Sequence, residues 1–240
     1  MSRTYRVGMV VPSLNTIGED DLRLFCPPEV RFHVHRIRLR HEPGRVTRDN
    51  LARAHQEAVG SSAFLKDLGP DAIVFNCTGA SVACGPTGDA ALAERMSHEL
   101  ALPCTNTMVA IKRALAAVGA KRLLHVCPFA DEFSGEEREA LEASGFEVVK
   151  SVGLNFTDAR EAARMDPQRI VDIATGHAQA LDIDGVLLSC ANVRAFEAVA
   201  ALERTLGLPV ITSNQAVLWD LLRLVGWRGD VPGGGRLFQA

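Results

Sequence analysis

The sequence predicts an α/β fold of two pseudo-symmetric lobes, each a mostly parallel sheet flanked by helices. Three observations carry the α/β expectation. Short apolar or β-branched runs alternate with segments of helical spacing along the 240 residues. Glycines stand where those helical segments should stop. The second half of the chain also repeats motifs of the first at matching spacing.

In chain order, the strand-like runs are Arg6–Val11, Val30–Leu39, Ala72–Asn76, Arg122–Cys127, Phe146–Val152 and Gly185–Ser189, with a shorter one at Val210–Thr212. Helical patterns cover Asp49–Leu68, with Asp49 as cap, then Thr87–Leu100, Thr107–Val118, Asp131–Ser144, Asp166–Leu181, Ala195–Leu206 and Asn214–Val225. Gly69, Gly119, Gly145, Gly207 and Gly226 end five of them. The run at 30–39 alternates Arg31, His33, His35, Arg36 and Arg38 with apolar residues, which predicts an edge strand with one wet face.

The repeat is specific. Asp71-Ala-Ile-Val-Phe-Asn-Cys77 matches Asp184-Gly-Val-Leu-Leu-Ser-Cys190 in its Asp-to-Cys spacing. A helix later, each is followed by a Leu-Pro turn and a short strand, at Leu102–Asn106 and Leu208–Asn214. Val10-Val11-Pro12-Ser13 resembles Val126-Cys127-Pro128-Phe129. We therefore expect one lobe from residues 1–118 plus 214–240, a second from 119–213, and an active site between them.

Composition bounds the function. Hydrophobic residues make up 47%, charged residues 23%, and the formal net charge is −3. With no Lys/Arg run, nothing suggests a nucleic-acid partner. No apolar stretch approaches the roughly 20 residues of a membrane span, and the N-terminus goes straight into a strand-like run, so a cytoplasmic protein is expected. The six cysteines include no CxxC pair and no Cys/His ligand spacing, so reduced thiols are expected and no metal site. No phosphate-cradling glycine motif appears, and no cofactor is expected.

Ligands of parallel sheets bind beyond the carboxyl ends of the strands. Cys77 and Cys190 both stand there, and a pseudo-dyad would bring them face to face over a shared cleft. The residues after them lead into helices, whose first N–H groups suit an anion and would lower a thiol pKa. A carboxylate held between two sulfurs suits chemistry at the adjacent carbon.

Four motifs give this site a family. Gly8-Met-Val-Val-Pro12-Ser13-Leu14-Asn15-Thr16, Asn76-Cys77-Thr78-Gly79-Ala80-Ser81, Ser189-Cys190-Ala191-Asn192-Val193-Arg194 and Pro209–Trp219 resemble those of the maleate cis–trans isomerases. These isomerases share the aspartate/glutamate racemase superfamily with arylmalonate decarboxylases and hydantoin racemases, and Gly235-Arg236-Leu237-Phe238 is reminiscent of the decarboxylases. The resemblance implies that Cys77 adds to the double bond of a cis-enedioate such as maleate. Cys190 would be the acid/base partner, and Asn15, Thr78 and Asn192, with the backbone around Gly79 and Ala191, would hold the carboxylates. It also implies a homodimer. The decarboxylases keep only the second cysteine, whereas this chain has both. Where the family carries a carboxylate-binding Tyr, this chain has Phe129, which donates no hydrogen bond. With Leu14 it makes the pocket more apolar, admitting a bulkier or less charged acid.

Blander readings compete at each position. Buried cysteines are usually small hydrophobes, and Cys26, Cys84, Cys104 and Cys127 are read as core or near-surface thiols. His33, His35 and His41 are read as surface residues, Asn106 and Asn214 as helix caps, Trp219 as core. Asn15 is read equally as a cap, and Arg194 as a solvated side chain. Racemisation or decarboxylation of a small acid is the close alternative reaction, and a non-catalytic ligand-binding protein is the alternative of another class.

Overall fold

A computed structural model describes residues 3–39 and 46–240; His41 lies outside the described residues. Strands β1 (Tyr5–Pro12), β2 (Val30–Ile37), β3 (Ala72–Phe75) and β4 (Cys104–Asn106) form one sheet, and β5 (Arg122–Cys127), β6 (Glu147–Gly153), β7 (Gly185–Leu188) and β8 (Val210–Thr212) another. Their spatial orders are β2-β1-β3-β4 and β6-β5-β7-β8, the same arrangement twice, and every pairing is parallel. The connecting helices are α1 (Ile17–Phe25), α2 (Arg48–Lys66), α3 (Thr78–Val82), α4 (Gly88–Leu100), α5 (Thr107–Ala117), α6 (Asp131–Glu142), α7 (Ala159–Ala162), α8 (Pro167–Ala178), α9 (Val199–Leu206) and α10 (Ser213–Leu224).

The strand residues explain the layers. β3 and β7 are buried at every position, as strands covered on both faces must be. β2 is the edge strand its alternating basic residues predict, with Arg31 and Arg36 exposed. The matched aspartates serve one purpose in both sheets. Asp71 Oδ2 accepts the Arg6 N–H at 2.8 Å, and Asp184 Oδ1 accepts the Lys121 and Arg122 N–H groups at 2.7 Å. Each therefore pins the start of its sheet's central strand beside the strand that leads to a cysteine.

The five stop glycines all have positive φ; Gly207, at 70°, is the C-cap of α9, where a Cβ would be strained. Three helix starts differ from expectation. Thr47, not Asp49, caps α2 through a bond from the Asn50 N–H. The segment from Ala195 begins as a 3₁₀ turn at Phe196–Ala198, and α9 proper starts at Val199. Thr212, in a capping box with Gln215, starts α10, so Asn214 is not a cap. Asn106 does cap α5, accepting from Val109 N at 3.1 Å.

One apolar core joins the sheets. Met9 and Val74 of the first, Leu187 and Ile211 of the second, and Ile111, Leu115, Leu218 and Leu221 of α5 and α10 belong to one cluster. Residues 213–222 of α10 are all buried. Packing on this scale holds the carboxyl ends of β3 and β7 in fixed relation. No helix of the described residues is long and apolar enough to cross a membrane.

Replacing either aspartate should uncouple its central strand. Asp184→Ala, which strands two backbone donors, is expected to destabilise by about 1–2 kcal/mol, and Asp71→Ala by a similar amount, read as loss of midpoint in urea unfolding.

Candidate active site

A cavity of about 70 Å³ opens between the strand ends of the two sheets. All eight residues singled out from the sequence line it: Asn15, Cys77, Thr78, Gly79, Phe129, Cys190, Ala191 and Asn192. Cys77 follows β3 in extended backbone and precedes the five-residue α3. Cys190 follows β7 at φ 94°, a conformation that costs a non-glycine residue about 1–3 kcal/mol. The repeat continues here, since the residue before each cysteine donates its N–H to the central strand: Asn76 to Val10 O at 2.8 Å, Ser189 to Val126 O at 2.9 Å.

A polar seam fixes the turn at Cys190. The Ala191 carbonyl accepts from Asn15 Nδ2 and from Asn214 Nδ2, each at 3.1 Å. Asn192 Oδ1 accepts from Thr16 N and Ile17 N, at 3.0 and 3.4 Å, and Asn15 Oδ1 accepts from Gly18 N at 2.8 Å. Together these two amides cap α1, whose own N-cap Thr16 makes no side-chain bond. Asn15 is thus both a cap and a pocket residue. Asn192 Nδ2 donates to Ala159 O at 3.0 Å. Each of the two amides spends one N–H on the seam and keeps the other, a donor suited to a carboxylate.

The thiols are not lowered in pKa as the helix termini suggested. Burial pushes Cys77 up to about 12, opposed by a backbone hydrogen bond at Ala80 and reinforced by the charge of Glu137. Cys190 is pushed up further by burial, although the Asn192 N–H reaches its Sγ at 3.4 Å. The reason is local: α3 is one short turn, and Leu14, Leu39, Leu51, Phe129 and Phe133 wall the cavity. Phe133 meets Phe129 edge-on at 6.1 Å between ring centroids, so this wall is an aromatic pair.

Sequence reasoning missed Glu137, which lines the cavity from α6 and is buried. Its Oε2 lies 3.1 Å from Nε2 of the fully buried His125, and the same nitrogen lies 2.8 Å from Ser189 Oγ. A histidine inside the otherwise apolar run Leu-Leu-His-Val-Cys at 123–127 was the available signal; Glu137 is one of several glutamates on its helix and had none.

The remaining candidates lie elsewhere. Arg194 forms a two-pronged pair with Glu197 at 2.7 and 2.9 Å. Ala159 takes a place in the pocket wall. Trp219 is core, with Arg223 stacked 5.2 Å from its ring. Asn214 bridges Asn76, Asp21 and Ala191. Cys104 and Cys127 are buried and Cys84 is exposed. Among the described residues, no group of three His, Cys, Asp or Glu side chains is placed to hold a metal ion.

Two parallel-sheet lobes thus present one thiol each to a common pocket. Comparison with known proteins gives the family: residues 7–238 match the family model described as arylmalonate decarboxylase, and the chain belongs to that family. It is 27% identical to a maleate isomerase of Geobacillus stearothermophilus, covering 100% of this chain and 99% of that one. It is 29% identical to an arylmalonate decarboxylase of Bordetella bronchiseptica, over 98% and 97% of the two chains. Among solved structures, the maleate isomerase Iso of Pseudomonas putida S16 superimposes with a TM-score of 0.89 at 26% identity, covering 98% of each chain. A liganded arylmalonate decarboxylase variant gives 0.87 at 28%, covering 98% of this chain and 99% of that one.

The seam carries a titratable group. Asp21, which accepts from Asn214 at 2.6 Å, is raised by burial to about 7 from an ordinary 3.8, with the Asn214 bond opposing. The folded protein therefore holds a proton that the unfolded chain has lost between about pH 4 and pH 7, and stability falls as pH rises through that window. Asp21→Asn should remove this decline, worth about 4 kcal/mol at most, when urea unfolding is compared at the two ends of the window.

Proposed function

We propose that the chain is a cysteine-dependent cis–trans isomerase of a maleate-like dicarboxylic acid. The observation that carries this reading is the pair of thiols, Cys77 and Cys190, on one small cavity in a chain related to maleate isomerases over its whole length. The Cys77 thiolate adds to one alkene carbon, and the π electrons move onto the other carbon and its carboxylate. The former double bond is then single and rotates. Collapse of the carbanion expels the thiolate and leaves the trans acid. Covalent addition thus replaces one high barrier with two lower ones.

Asn15, Thr78 and Asn192, with the backbone of Gly79 and Ala191, bind the carboxylates, and their donors stabilise the enediolate charge. Cys190 supplies the acid/base group. The lobes 1–118 plus 214–240 and 119–213 frame this site, and the enzyme is taken as a cytoplasmic homodimer.

A second reading rests on the wall. Phe129 and Phe133 face the cavity where a hydroxyl would serve a second carboxylate, which favours a bulkier, less charged acid and decarboxylation through Cys190.

Proton NMR of maleate in buffered D₂O tests the choice. Fumarate should appear with the native protein and be lost with Cys77→Ala; arylmalonate consumption without fumarate would favour decarboxylation instead. Phe129→Tyr restores a hydrogen bond to a carboxylate and should lower the KM for maleate by about tenfold, the worth of one bond to a charged group.

A further inference from the structure

Addition by Cys77 requires its proton to go somewhere, and burial makes that step costly. One buried carboxylate shares the cavity with both sulfurs. Glu137 lines, from α6, the same small cavity that Cys77 and Cys190 line. Its Oε2 lies 3.1 Å from His125 Nε2, the arrangement in which an Nε2–H would donate to a carboxylate. Ser189 Oγ meets the same nitrogen at 2.8 Å, and Ser151 Oγ meets Nδ1 at 3.1 Å. His125 is therefore clamped at both ring nitrogens, with no freedom to turn away.

We propose that Glu137 is the proton acceptor for the pocket thiols, with His125 and Ser189 as the positioning residues that aim it. The inference rests on the reading in which Cys77 adds to substrate. The S–H bond of Cys77 breaks, its electron pair stays on sulfur, and the proton passes to Glu137. The sulfur pair then forms the C–S bond. On elimination that pair returns to sulfur, which recovers the proton from Glu137. The protein contributes one negative charge throughout, on Glu137, then on sulfur, then on the substrate enediolate, so the proton transfer adds no charge to those the dicarboxylate brings.

The groups facing Glu137 make the prediction specific. His125 and Cys127 face it from β5, Cys77 from the turn before α3, and Ser189 and Cys190 from the end of β7; its charge acts on all three thiols. Glu136 pairs outward with Arg48 of α2, and Arg138 with Glu142 along α6. A carboxylate that both repels the thiolate and takes its proton has opposite effects on two observables. Removing it should make Cys77 easier to ionise yet slower to turn over.

The test is iodoacetamide alkylation of Cys77 and Cys190 against pH, read by peptide mass spectrometry, beside maleate turnover. Glu137→Gln is expected to lower the Cys77 alkylation midpoint by about one pH unit and to cut turnover about 100-fold. Glu137→Asp, which keeps the charge, should hold the native midpoint and recover most of the turnover. An unchanged midpoint or undiminished turnover in Glu137→Gln overturns the proposal. Where Glu137→Gln does not fold, Ser189→Ala decides. It loosens His125 and should lower kcat about tenfold with KM unchanged, and an unaltered kcat overturns the proposal. If the native protein leaves maleate untouched, the isomerase reading fails, and the alkylation arm alone judges Glu137.

Discussion

The carbonyl of Ala191 is the point on which the site depends. It accepts one amide from the loop after β1 and another from α10, and it follows a residue held at φ 94°. Two buried hydrogen bonds contribute about 1 kcal/mol each, which is comparable to the cost of the strained backbone. Without them the turn has reason to relax, and Cys190 would leave the wall it shares with Cys77. Asn15 also caps α1 together with Asn192, the residue after Ala191, so helix, seam and pocket are held by one connected set of bonds.

This arrangement explains why duplicated halves are useful. Each sheet ends its third strand in sequence order at a polar residue whose N–H is tied to the central strand, followed by a cysteine. In the first sheet that polar residue is Asn76, which joins the seam through Asn214. In the second it is Ser189, which joins His125 and, through it, Glu137. Equivalent positions have thus diverged, one toward holding the lobes together and one toward the proton chemistry of the pocket. Burial against the apolar wall raises both thiols. Reactivity then depends on the groups placed beside them.

Much of this was legible in the sequence, for physical reasons. Parallel strands buried on both faces write themselves as apolar runs, and helix ends in left-handed backbone write themselves as glycine. The Asp-to-Cys repeat revealed two copies of one unit because each aspartate has the same strand to pin. What was hidden depends on contacts distant in sequence. Nothing near Asn214 shows that it reaches Asp21 and Ala191 instead of capping its own helix, since Thr212 two residues earlier was an equally good cap. Glu137 looks like its solvated neighbours Glu136 and Glu139, and only the packing of α6 against β5 distinguishes it. The direction of the thiol shifts was also out of reach, because it turns on how short α3 is and how apolar the opposing wall is.

The most direct measurement is mass spectrometry of a Cys190→Ser variant after incubation with maleate, followed by peptide mapping. Cys77 is expected to carry the added mass of one maleic acid, at a site where Cys190 no longer assists elimination. An adduct confined to exposed Cys84, or none at all while the native protein still forms fumarate, would contradict covalent catalysis by Cys77.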